Sequence, residues 1–585
     1  MYIRLFAFIS AFFSFISYSQ EIEKDFYQAP GDVSKHPYTH PSLSLIPLHK
    51  VDFKPKVGGI DFLPNGNLLV CTWDSLGDVF ELSNVLKGDS TNIKIRKIAS
   101  GLCEPLGIKT VGNRIFVLQR PELTELIDNN KDGTIDEYHT VCDKFGFSGN
   151  YHEFAFGLLY KDGWFYGTLS TPRRTRRPSP PDRGTAFRID TLGKIEYLAS
   201  GFRTPNGIGF GANNEIFIND NQGEYVPTSK MIRLQKGGFY GYRDVDFRAT
   251  IGLSDIKPVI WMPHYEIGNS PSEPVYLPFG MYKGQFLHGD VTHGGLKRVF
   301  LEKVDTVYQG CIFNFTQGLE GGINRIKIGP DSALYVGAIG SAGNWSQEGK
   351  HWYGLQKLKF NGKTAFEVLN IKILSNGFEL NFTEPISSKV IIKPSTFDIN
   401  TWTYKITEEY GGPKIDEHKL AISSVNLSAD RKKVTLEIPS IKEGYVVHFQ
   451  INDKQIISSS NQKLWTSQAW YTVNKIPKGK KSFIQTQSVA KVPTSPVQLN
   501  KKQIQGLMQQ KGCYQCHDIK TNVIGPSFEA VSQKYKSQPS GKQYLIQKIA
   551  KGGTGVWGGE AMPAQTHLKK SEIEAIVNYI LEITQ

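Results

Sequence analysis

Short apolar runs follow glycine-led turns at even intervals along the first two thirds of this chain. Gly59-Ile60-Asp61-Phe62-Leu63-Pro64-Asn65-Gly66 precedes Leu68–Trp73, and Gly107-Ile108-Lys109 precedes Ile115–Leu118. Gly157–Tyr160 precedes Trp164–Gly167, and Gly207–Phe210 precedes Glu215–Ile218. The leading glycines stand 48, 50 and 50 residues apart. A later copy, Ile326–Ser332 before Ala333–Val336, leaves room for an intervening sheet with insertions. Strand-length runs repeating at this spacing predict a β-propeller of about six blades over residues 51–362. A sandwich or barrel would not explain the even spacing. From Phe366 the pattern changes. Val368–Ile373, Phe378–Phe382, Val390–Ile392, Val434–Ile438 and Val446–Ile451 are short runs that predict a β-sandwich over residues 363–475. Residues 476–497 are polar, basic and proline-containing and read as a linker. In residues 498–585 the apolar positions take helical spacing. Val497–Gln510 reads as a short helix, and Ile573, Ile576, Tyr579, Ile580 and Ile583 line one face of Lys570–Ile583. The fold class expected is multidomain and mainly β, ending in a small all-α domain.

Arg4, the apolar run Leu5–Ile16 and the small or polar Ser17-Tyr18-Ser19-Gln20 form the three-part pattern of a secretory signal peptide over residues 1–20. That run is too short to favour a membrane span, and no later segment is apolar for long enough. An exported protein, periplasmic or secreted, is expected. Residues 21–50 read as an extended lead-in. The 585 residues are too many for one core. The formal charge of +13 is spread along the chain and comes with no nucleic-acid recognition motif. It suits docking of an acidic redox partner or glycan. Export permits disulfides. Cys71, Cys103, Cys142 and Cys311 therefore allow three pairings, or remain as buried thiols.

Cys513-Tyr514-Gln515-Cys516-His517 carries the most specific chemistry. Two thiols three residues apart can add to the two vinyl groups of one haem, and the adjacent His517 then ligates the iron. Gly525-Pro526 supplies a rigid turn on the histidine side, and the loop Val556–Pro563 offers Met562 as a thioether ligand, with His567 as the alternative. A zinc site would need a second Cys/His pair nearby, and a redox dithiol would need a βαβ context; the sequence has neither. Together these motifs resemble a class I monohaem cytochrome c over residues 498–585. The resemblance implies one covalent haem c and an external redox partner protein.

The propeller segment resembles the soluble glucose and sorbosone dehydrogenases, six-bladed proteins that use pyrroloquinoline quinone (PQQ). The match rests on Gly201-Phe202-Arg203-Thr204-Pro205-Asn206-Gly207, on Asp220-Asn221-Gln222-Gly223 and on Lys236–Tyr242. The resemblance implies that Arg203 and Asn206 contact the quinone and that Gln222 helps hold a calcium beside it. Gly149-Asn150-Tyr151-His152-Glu153-Phe154 falls where the family has its catalytic histidine. His152 would take a proton from a carbohydrate or polyol hydroxyl as hydride passes to the quinone. Where the family has two arginines, Gly322-Ile323-Asn324-Arg325 has one, out of register, and the family's fifth-blade lysine has no counterpart. The sandwich resembles a bacterial Ig-like or fibronectin-like module and reads as a spacer or docking scaffold.

Asp128, Asn130, Asp132, Thr134 and Asp136 place oxygens at alternating positions around Gly133, a pattern that suits Ca²⁺. Arg173–Pro181 is a basic, proline-rich excursion, either a solvated loop or a lid for an acidic ligand. Three readings follow. The propeller oxidises a sugar or polyol and passes electrons to the haem, or it is a non-catalytic glycan- or protein-binding module, or it uses a metal at His152 or at His288/His293 with Asp290. Convergence of Arg203, Lys230, Arg298 and Arg325 near His152 would favour the first.

Overall fold

The computed structural model describes Ala29, Asp32 and residues 38–87, 90–172, 180–342, 345–479, 501–511, 513–558, 562–565, 568 and 570–583. The leader, the linker, most of Arg173–Pro181 and His567 lie outside the described residues. The chain divides into two compact units, residues 1–484 and 485–585.

In the first unit six antiparallel sheets succeed one another along the chain. Their first strands are Val57–Phe62, Gly107–Val111, Ala155–Lys161, Gly207–Phe210, Pro271–Tyr276 and Gly322–Ile328. Each packs beside the next, and the sixth returns to the first. The repeat glycines explain how these strands approach so closely. A Cβ on Gly107 would come within 1.9 Å of the Gly157 carbonyl oxygen, and one on Gly207 within 2.2 Å of that of Ser272. Leu43–Pro47, ahead of the first sheet, pairs with Tyr353–Phe360 and so completes the sixth. The first strand of the ring segment is thereby tied to its last in one sheet.

Residues 366–473 form one further four-stranded sheet and a second layer of strands that extends the fifth sheet. The face of Val368–Leu374, Gly377–Phe382 and Lys433–Glu437 packs on that of Phe397–Tyr404, Tyr445–Ile451 and Gln468–Val473 around Phe378, Leu380, Leu436, Ile399 and Phe449. This module is joined to the ring by its backbone, because Gln468–Val473 pairs with Val307–Thr316 of the fifth sheet and fuses the two into one eight-stranded sheet. Arg298 seals the junction. Its guanidinium lies 3.0 Å from Glu367 Oε2 and donates to the carbonyls of Val368 and Leu369 at 2.7 and 2.6 Å. Tyr282 donates to the same carboxylate, and both charged side chains are fully buried.

The second unit is helical. Lys501–Gln510, Phe528–Tyr535 and Gly541–Lys551 each pack on the C-terminal helix Lys570–Leu581. Ile504, Met508, Val531, Leu545, Ile549, Ile576 and Val577 form the core. The expected terminal helix is present, with Ile573, Ile576, Tyr579 and Ile580 buried; it stops short of Ile583, which is partly buried beyond its end. Ser527 starts the second helix by accepting from the Ala530 amide at 3.2 Å. Among the described residues no helix is long and apolar enough to cross a membrane. All four cysteines of the first unit are unbridged: Cys71, Cys142 and Cys311 are buried and Cys103 is exposed.

Burial pushes the Glu367 carboxyl up, but Arg298, His40 and Tyr282 outweigh it and hold it at about 2. Glu367→Leu would leave the Arg298 charge buried without its partner and should destabilise the first unit by about 3–5 kcal/mol in urea unfolding. The double change with Arg298→Met should recover much of that loss. Because the folded carboxyl titrates below its unfolded value, its contribution is full above about pH 4.5 and lost as the pH falls towards 2.

Candidate haem and ring sites

Cys513–Gln515 forms one tight turn in which the amides of Cys516 and His517 both donate to the Cys513 carbonyl, at 3.3 and 3.1 Å. This turn carries both thiols and the imidazole to one cavity of about 260 Å³, where Met562 and Trp557 also lie. His517 Nδ1 is 2.7 Å from the Pro526 carbonyl oxygen. With Nδ1–H donating there, Nε2 keeps its lone pair for a metal. The ring is stacked on Phe528 at 5.2 Å. Gly525 cannot be replaced freely, since its Cβ would come within 2.4 Å of His517 Cε1. Met562 is held by paired backbone hydrogen bonds to Gly553 at 2.9 and 3.0 Å. Burial raises the Cys513 thiol above its ordinary range. Two thiols, an imidazole and a thioether on one largely apolar cavity fit a covalent haem.

In the ring unit the loops before two first strands bring His152, Thr204 and Asn206 together with Asn324 of the sixth sheet's first strand. His152 is buried, with Nδ1 2.6 Å from the Thr171 carbonyl oxygen and Nε2 3.4 Å from Thr204 Oγ1. The Thr171 carbonyl fixes the proton on Nδ1, so Nε2 is the basic nitrogen. Arg203 Nη1 donates to Thr204 Oγ1 at 3.0 Å, which leaves the threonine hydroxyl proton for His152 Nε2. Phe154 and Trp345 flank the imidazole with centroids at 5.8 and 5.7 Å, and Trp73 stands 6.5 Å beyond Trp345. The adjoining cavity of about 30 Å³ has Thr204, Asn206, Asn221, Ser270 and Asn324 as its polar lining.

Of the four cations whose convergence near His152 would favour the oxidising reading, three gather around the Thr204–Asn206 segment and one does not. Arg203 lies beside His152 through Thr204. Lys230 is buried 3.8 Å from Asp220, whose carboxylate also accepts from the Arg203 and Thr204 amides. Burial pulls the lysine down and the carboxyl up, and their mutual attraction opposes both shifts. Arg325 is turned onto the backbone, donating to Leu106 O at 2.7 Å and to the O and Oδ1 of Asn206 and Asn324 at 2.9–3.1 Å. Arg298 is the junction clamp described above. Gln222 Nε2 donates to Pro227 O at 3.0 Å, while its buried Oε1 has no hydrogen-bond partner.

These residues do not fit PQQ. Three carboxylates need cations with open donors, but Arg325 is engaged by carbonyl and amide oxygens and Arg298 is remote. In the Asp128–Asp136 loop the carboxylates accept backbone amides: Asp128 from Lys131 and Gly133, Asp132 from Thr134, and Asp136 from Asn129 and Asn130. Asp290 likewise accepts backbone amides, from Ser270, Thr292 and His293 on Oδ1 and from Asn269 on Oδ2. Among the described residues no three His, Cys, Asp or Glu side chains gather as a metal site. Thr171, Thr204, Trp73 and Trp345 were missed as site residues. Thr204 lay inside the quoted Arg203–Asn206 motif, whereas Trp345 carries no local signal.

A family model described as cytochrome c matches residues 501–584, and a domain of unknown function (DUF7133) matches residues 86–242. Cytochrome c-552 of Hydrogenobacter thermophilus is 42% identical over 77 residues, 13% of this chain and 78% of that protein. Cytochrome c-551 of Allochromatium vinosum is 35% identical over 75 residues, 13% of this chain and 80% of that protein. Among solved structures, an oxidoreductase (glucose dehydrogenase) of Thermus thermophilus aligns over 54% of this chain and 100% of its own at 14% identity, TM-score 0.44. The PQQ-bound aldose sugar dehydrogenase of Streptomyces coelicolor aligns over 55% and 99% at 16% identity, TM-score 0.41. With the thiol pair, His517 and Met562 set on one cavity, the chain belongs through its C-terminal domain to the cytochrome c family.

Proposed function

We propose that this protein is an exported redox protein. Its C-terminal domain, residues 498–585, carries single electrons on a haem c, and its ring binds a small carbohydrate or polyol at the His152 mouth. The ring is read as a six-bladed propeller and residues 363–475 as an Ig-like module. The observation that carries the proposal is the meeting of Cys513, Cys516, His517 and Met562 on one apolar cavity. Bound haem supplies one-electron chemistry. Cys513 and Cys516 would tether it, His517 would ligate through Nε2, and the soft thioether of Met562 would favour the reduced state and raise the potential. The apolar wall keeps water from the site.

At the ring mouth, aromatic faces of Trp73, Phe154 and Trp345 combine with amide and hydroxyl groups of Asn206, Asn221, Asn324, Thr204 and Ser270. That mixture suits an uncharged polyhydroxylated ligand. A second reading, oxidation of that ligand, is favoured by one observation. His152 holds Nδ1 on the Thr171 carbonyl and turns Nε2 towards Thr204 at the mouth, where it can take a hydroxyl proton while the hydride passes to an added quinone such as PQQ.

Met562→His should lower the midpoint potential in a redox titration while leaving haem attachment intact; an unchanged potential would assign the sixth ligand elsewhere. For the ring, aldoses and polyols added to the haem-loaded protein should quench tryptophan fluorescence saturably, and His152→Ala should weaken that binding about ten-fold. No quenching across the panel would overturn the ring assignment. Haem reduction that requires added PQQ and Ca²⁺ and vanishes in His152→Ala would establish the oxidising reading and overturn the misfit with PQQ.

A further inference from the structure

We infer that Tyr410, on the two-sheet module, is a positioning residue of the ring's site. The inference rests on the reading of the His152 mouth as the place where ligand binds. Tyr410 stands on the loop between the paired strands Phe397–Tyr404 and Lys414–Lys419, and this loop is laid along the ring's turn 222–227. The Tyr225 amide donates to Thr407 O at 2.9 Å, Gly411 to Gly223 O at 3.0 Å and Gly412 to Pro227 O at 3.0 Å. Tyr225 has φ +59°, a left-handed conformation that costs a non-glycine residue energy and persists only where neighbours hold it. The bond to Thr407 is one such hold. Two glycines make the approach possible. A Cβ on Gly223 would come within 2.6 Å of Arg203 Cγ, and one on Gly411 within 2.5 Å of Gln222 Nε2.

The strap ends on Arg203. The Tyr410 ring lies beneath its guanidinium at 5.1 Å, and the same guanidinium donates to Thr204 Oγ1, which faces His152 Nε2. Tyr410 therefore acts on the imidazole at second hand: the ring face holds Arg203, Arg203 fixes the direction of the threonine hydroxyl, and the hydroxyl faces the basic nitrogen. The module is then a wall of the ring's site as well as a neighbour of it.

The test uses the full-length haem-loaded protein with Tyr410→Ala and Tyr410→Phe. Arg203 labelling by phenylglyoxal, read by peptide mass spectrometry, needs no ligand. Wild type and Tyr410→Phe should protect Arg203, and Tyr410→Ala should label it about ten-fold faster. Glucose binding, read by tryptophan quenching, should weaken about ten-fold in Tyr410→Ala and be restored in Tyr410→Phe, with the thermal midpoint and haem spectrum unchanged. Equal labelling in all three proteins would overturn the inference. So would wild-type glucose affinity in Tyr410→Ala, or loss of affinity in Tyr410→Phe to the same degree. If wild type binds no glucose, the reading of the ring mouth falls, and Arg203 labelling alone decides whether the strap holds.

Discussion

One guanidinium sits where the ring's strands converge. Arg325 comes from the sixth sheet and donates to the carbonyl ahead of the second sheet and to the asparagine ahead of the fourth. Burial lowers its affinity for a proton, while Glu273 opposes the shift. A buried charge of this kind needs hydrogen-bond partners. Here Nη1 and Nη2 find oxygens on Leu106, Asn206 and Asn324, while Nε has no partner among the described residues; the bonds to Leu106 and Asn206 reach segments far apart in sequence and so hold the sheet entrances in register. Thr204, Asn206 and Asn324 take their places at the mouth around that tie.

The cost of this arrangement falls on cofactor chemistry. Cations that could have met a ligand are drawn into the scaffold: Arg325 onto Leu106, Asn206 and Asn324, Arg298 onto Glu367, and Lys230 onto Asp220. Arg203 remains nearest to His152, and even it is held by Thr204 and Tyr410. The mouth that results is walled by aromatic rings and lined by amides and hydroxyls. Its one prominent titratable group is an imidazole whose tautomer is set by the Thr171 carbonyl.

The haem site is built on a different principle. Its thiols and histidine lie in five consecutive residues, and the oxygen that orients the histidine is nine residues on, at Pro526. Local chain geometry is enough to assemble it, with the packed helices supplying the apolar walls. Met562 reaches the same cavity from farther along the chain, held by the Gly553 pairing.

That contrast marks what was legible in the sequence. The haem residues, the signal of repeated strands, the change of pattern at Phe366 and the terminal helix are local properties: spacing, alternation and turn chemistry. The repeat glycines were visible too, but their reason was not, since it is the carbonyl of a neighbouring strand that leaves no room for a side chain. Tertiary structure alone decided which polar side chains face a ligand and which hold the fold. Arg298 and Arg325 look like site residues in one dimension because their carbonyl and carboxylate partners come from other sheets. Trp345 and Tyr410 look like loop residues because the imidazole and guanidinium they touch lie about 200 residues away. Sequence determined the elements and the haem chemistry; long-range burial of charge determined the ring's site.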